Sequence, residues 1–166
     1  KLQQGCGGKD CIPAIDEPHW ESLGEADRWL GDEDMVLGLD YKGEHRAYPV
    51  EVLNWHEIVN DEVGGETVAV IYTARCGSAV VLRRQGTLGV SGKLKSGCPV
   101  MYDRETQSLW EQITGGAIVG VMRGQFLQQI PVQVLSWQEW KKGHPATVVL
   151  SRNTGWARDY EVNPYP

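Results

Sequence analysis

Two residues combine a reactive side chain with flanking patterns that bring them towards one region. His56 lies in Asn54-Trp55-His56-Glu57-Ile58-Val59-Asn60-Asp61, and Cys76 in Tyr72-Thr73-Ala74-Arg75-Cys76-Gly77-Ser78-Ala79. Between them Val63-Gly64-Gly65-Glu66 is a hairpin signal. Imidazole and thiolate together serve two chemistries: they bind soft or borderline metals, or they work as base and nucleophile. Cys98 and Met101 add a second sulfur ligand and a thioether.

The first expectation is a transition-metal site on His56, Cys76, Cys98 and Met101. Such a soft set suits copper, or zinc without the thioether, in redox chemistry or metal handling. The second is a cysteine-nucleophile enzyme, in which Cys76 attacks, His56 is the base, and Asn60 or a carboxylate orients the ring. The third is thiol–disulfide chemistry between Cys76 and Cys98, as a redox pair or a structural bridge. The fourth is a binding module whose Trp55, Trp110, Trp137 and Trp140 line a carbohydrate or peptide face. Plain alternatives stand beside these. A lone cysteine is more often a small buried hydrophobe, a histidine often only donates to a backbone carbonyl, and tryptophans are more often core.

The elements that must position these residues read as strands and turns. A strand over 56–62 puts His56, Ile58 and Asn60 on one face and Glu57, Val59 and Asp61 on the other. A helical 54–60 would change that pairing. The periodicity predicts a helix over 17–30, capped by Asp16, and a hairpin of 35–41 with 45–48. Pro49 opens a short helical turn. Strands follow at 67–73, 79–84 and 88–92, and the stretch 93–99 reads as a loop. Strands at 100–102 and 108–112 flank a turn, and further short strands fall at 117–121, 132–135 and 147–150. A helix over 137–142 is capped by Ser136. The expected class is α+β, mainly antiparallel sheet with a few short helices. It is one domain over 1–166, with an extended segment at 1–16 and a tail at 151–166 packed on the body.

Composition bounds the rest. A length of 166 residues with 41% hydrophobic residues supports one real core. Twenty glycines and eight prolines fit a turn-rich strand fold. A net charge of −6 without a basic run argues against nucleic acid as a partner, leaving a metal ion or a small-molecule substrate. No apolar run reaches membrane-span length, and no signal peptide is visible; the start at Lys1 is expected of a trimmed product. Four cysteines, Cys6, Cys11, Cys76 and Cys98, are all disulfide candidates, with Cys6 and Cys11 placed for a small local loop. An extracytoplasmic location, periplasmic or secreted, is expected from these features.

The chain resembles a prokaryotic family of unknown function, DUF3179. The resemblance rests on the 54–61 motif, Cys76-Gly77-Ser78-Ala79-Val80-Val81, Val90-Ser91-Gly92, Met101-Tyr102-Asp103-Arg104 and Ser108-Leu109-Trp110. Lys9-Asp10, Ile12-Pro13-Ala14, Thr114-Gly115, His144-Pro145 and Arg158-Asp159-Tyr160 agree with it. It implies a relationship over nearly the whole chain and brings no activity with it. The family usually has Tyr-Cys-x-x-Cys-Gly, where this chain has Thr73 at the first cysteine position. Conversely, Cys98 stands where the family more often has a polar residue. If the 93–99 segment folds over Cys76, Cys98 takes the place of the missing thiol.

Overall fold

The computed structural model describes residues 1–165; Pro166, the last residue of the expected tail, lies outside the described residues. In chain order the elements begin with β1 (Gln3–Gln4), β2 (Trp20–Ser22), α1 (Leu23–Ala26), β3 (Met35–Tyr41), β4 (Glu44–Pro49) and α2 (Val50–His56). Next come β5 (Ile58–Val63), β6 (Glu66–Thr73), β7 (Ser78–Arg83), β8 (Leu88–Lys95), β9 (Cys98–Asp103) and β10 (Leu109–Glu111). The chain closes with β11 (Ala117–Val119), β12 (Gln129–Ile130), β13 (Gln133–Ser136), α3 (Trp137–Gly143) and β14 (Val148–Leu150). The class is α+β and mostly antiparallel, as expected; among the named strands only β14 with β4 runs parallel.

Three sheets stack in layers. The central one, in the order β12-β7-β6-β5, is buried on both faces. Val68, Val70 and Val81 pack one way, against Leu37, Leu39, Tyr48 and helix α2. Ala69, Ile71 and Leu82 pack the other way, against Leu88, Val90, Met101 and Trp110 of the sheet β1-β8-β9-β10-β11. This two-sided burial is why 67–73 reads as an almost unbroken apolar run. The third sheet, β13-β3-β4-β14-β2, carries α1 and α3 on its outer face, where Trp137 and Trp140 are fully enclosed.

Three expectations need correction. The helix predicted over 17–30 is only Leu23–Ala26. Residues Trp20–Ser22 pair with β14 instead, and Ser22, not Asp16, caps the helix, in a reciprocal capping box with Glu25. The predicted loop at 93–99 is two strands and a tight turn. Ser96 and Gly97 both have positive φ (52° and 82°), so Lys95 pairs directly with Cys98 as in a two-residue hairpin. The strand predicted from residue 56 starts at Ile58, because α2 runs through His56.

The N-terminal arm docks on β8 next to a register shift between Val90 and Lys93. Gly5 N–H donates to Gly92 O and Asp10 N–H to Val90 O. Cys6 and Cys11 are joined as a disulfide within this arm. Gly92 has φ of 78°, and a Cβ there would lie 2.5 Å from the Gly8 carbonyl oxygen. Gly92→Ala should therefore cost about 1–3 kcal/mol. Urea denaturation measures the loss, and limited proteolysis should show the arm becoming the first segment cut.

Candidate functional site

Cys76 sits in the turn between β6 and β7, just beyond the terminal pair Thr73–Ser78. Thr73 is buried, and its Oγ1 accepts from Arg75 N–H at 3.2 Å. Thr73 thus braces the turn that presents Cys76. Gly77, with φ of 58°, completes the reversal. Cys98 leaves the Ser96–Gly97 turn at the start of β9.

These two turns meet. Cys76 and Cys98 are both free, and Cys98 lies near enough to Cys76 to act on the ionisation of its thiol. Cys76 is half-buried, whereas Cys98 is only 8% exposed. Burial, the neighbouring Cys98 thiol and the charge of Glu57 push the Cys76 thiol up to about 12. It is therefore protonated at neutral pH.

Glu57 is the group that the strand pattern did not bring to the site. It is 3% exposed and has φ of 62° and ψ of −39°, a conformation that side-chain-bearing residues seldom adopt. Its N–H donates to Leu53 O and its carbonyl accepts from Tyr72 N–H. The chain thereby turns from α2 into β5 at a single residue. Tyr165 Oη donates to Glu57 Oε1 at 2.6 Å. Burial raises the Glu57 carboxyl, and the bond from Tyr165 and the charge of Arg75 partly offset this. Burial and the same carboxylate raise Tyr165 as well. A cavity of about 50 Å³ lies here, lined among others by Glu57, Arg75, Tyr165, Lys93, Pro99 and Cys6. Arg75 and Pro99 are the chain neighbours of Cys76 and Cys98.

His56 is directed elsewhere. It is fully buried, with Nδ1 2.8 Å from Pro13 O and Nε2 2.7 Å from Tyr160 Oη. A carbonyl can only accept, so Nδ1 carries the proton and Nε2 accepts from the tyrosine. Burial lowers His56, in keeping with a neutral ring. Both nitrogens are occupied, so neither serves Cys76. Asn60 does not accompany His56 either: its Nδ2 donates to Asp16 Oδ1 and Leu88 O. Met101 is in the apolar core between two sheets, three residues along β9 from Cys98 and so on its other face. Of the four residues expected around a metal, the structure brings together the two cysteines. Among the described residues no group of three or more His, Cys, Asp or Glu is arranged to hold a metal ion. Trp110, Trp137 and Trp140 are core, so they do not form an exposed binding face with the half-buried Trp55.

Two larger open clefts, of about 520 and 510 Å³, lie away from the cysteines. The second contains Arg46 and Asp61, already paired with each other at 2.8 Å and with Asp61 also accepting from Tyr48.

The family described as "Protein of unknown function (DUF3179)" matches residues 9–166, and the chain belongs to that family. No curated protein and no solved structure matches the chain. Within the described residues, no helix is long and apolar enough to cross a membrane.

His56→Ala should destabilise the fold by about 3 kcal/mol, since it leaves Pro13 O and Tyr160 Oη without their partner. The native histidine is held below its ordinary 6.5, so the unfolded chain binds the proton first. Stability should consequently fall as pH drops below about 6.5, and this slope should be shallower in the variant. Urea denaturation at a series of pH values measures both effects.

Proposed function

We propose that Cys76 and Cys98 form a redox-active dithiol that cycles between two thiols and an intramolecular disulfide. The observation that carries this is the proximity of two free cysteines delivered by separate hairpin turns. Their unequal exposure assigns their parts: Cys76 meets the substrate and Cys98 resolves the mixed disulfide. The resemblance supports the same reading: its pattern has a cysteine at the position of Thr73, and here Cys98 near Cys76 supplies the second thiol. A high Cys76 thiol argues against a standing nucleophile activated by histidine, and the occupied His56 ring agrees. An extracytoplasmic location fits this proposal, since the Cys6–Cys11 disulfide persists most readily in an oxidising compartment.

The test uses 4,4′-dithiodipyridine as the disulfide substrate. The native chain should release about two equivalents of thiopyridone and retain no label, because Cys98 displaces the adduct on Cys76. Cys98→Ser should release about one and keep the label on Cys76. Retention of the label by the native chain, with Cys98 still free, would overturn the proposal. A metal-handling role for the same sulfurs predicts a different outcome: about one copper or zinc held per chain after exhaustive exchange, lost in Cys76→Ser.

A further inference from the structure

Resting on the dithiol proposal, we infer that Glu57 is the group that takes the proton from Cys76 when the thiol reacts, and that Tyr165 positions it. A carboxylate is costly to bury, and Glu57 is buried on a strained backbone. Its one side-chain hydrogen bond among the described residues comes from Tyr165. Among the described residues no salt bridge accounts for the buried charge: Arg75 acts on it only at longer range. The carboxylate faces a cavity that also touches the chain neighbours of both cysteines, and about 50 Å³ is room enough for a bridging water. The charged and titratable groups around it are Arg75, Lys93 and Tyr165 on the cavity wall, with Cys76, the chain neighbour of Arg75, within electrostatic reach of Glu57 and Tyr72 within reach of Tyr165.

The step balances as follows. Cys76 S–H passes its proton to Glu57, directly or through one water. The thiolate attacks one sulfur of a disulfide substrate, the S–S bond breaks, and the leaving thiolate takes up the proton held by Glu57. Cys98 S–H then gives up its proton as its sulfur attacks the Cys76 sulfur, closing the Cys76–Cys98 disulfide, and the second substrate thiolate leaves and takes up that proton. The substrate disulfide gains two electrons and two protons, both supplied by the dithiol. Glu57 ends as it began. The high resting thiol makes such a base useful, because spontaneous ionisation is rare.

A carboxylate beside a thiol also has a plain electrostatic effect, and the two roles differ in sign. A passive negative charge disfavours the thiolate, so its removal by Glu57→Gln would speed the reaction. A proton acceptor does the opposite. The rate of Cys76 with 4,4′-dithiodipyridine should fall on the order of a hundredfold at pH 7 in E57Q, with loss of the lower inflection of the pH–rate profile. Tyr165→Phe keeps the carboxylate but removes the hydrogen bond that lowers it, so the same inflection should move to higher pH. An E57Q rate equal to or above that of the native chain would overturn the role of Glu57, and an unmoved inflection in Y165F would overturn the positioning role. Should E57Q fail to fold by circular dichroism, Y165F carries the test alone. Failure of the dithiol proposal is seen separately, as label retained on Cys76 with Cys98 free.

Discussion

The site depends on a reversal of direction at one residue. Helix α2 ends at His56 and β5 begins at Ile58, so Glu57 alone turns the chain, with φ of 62°. That turn sends neighbouring side chains to different places. His56 goes into a closed network with Pro13 and Tyr160, and Glu57 goes to the cavity beside the cysteines. Backbone strain of this kind costs on the order of 1–3 kcal/mol and persists where surrounding structure enforces it. Here the enforcing contacts are the bond from Glu57 N–H to Leu53 O and the bond from Tyr72 N–H to Glu57 O.

Around that point the layers do separate jobs. The central sheet fixes β6 and β7, hence the turn holding Cys76, by burial on both faces. The outer sheet fixes β8 and β9, hence the turn holding Cys98. Neither turn makes a site alone. Their meeting is a tertiary event, secured by core residues such as Ile71, Val90 and Met101 that pack between the sheets. The arm bearing the Cys6–Cys11 disulfide and the tail bearing Tyr165 close over the same region from opposite ends of the chain.

Much of the fold was legible because its signals are local. Gly64 and Gly65 both have positive φ, as the hairpin pattern requires, and Ser136 caps α3. The strand 67–73 announced itself by its apolar run. The misread stretches are those where a local signal competes with a tertiary one. Trp20, Leu23, Ala26 and Leu30 have helical spacing, and Ala26 and Leu30 are indeed buried, but pairing of Trp20 with Leu150 claims the first turn as strand. Pro99 and Gly97 made 93–99 look like a loop, although Ser96-Gly97 is a sound two-residue turn. For the site, both cysteines were visible as residues, and their contact was conditional on that hairpin. Glu57 lay in the recognised motif, but the strand alternation that set it opposite His56 does not apply, because α2 runs through His56 and Glu57 is the turn residue after it. Its positive φ has no sequence signature in a glutamate, and the partnership with Tyr165 spans 108 residues, so neither was readable.

The central claim is that Cys76 and Cys98 work as one two-electron unit. The most direct measurement is a redox titration of the native chain in glutathione buffers, with each cysteine's state read by differential alkylation and peptide mass spectrometry. The account predicts that Cys76 and Cys98 lose and regain their thiols together, in a single transition linking one to the other. Accumulation of glutathione on Cys76 while Cys98 stays free across the whole range would contradict it.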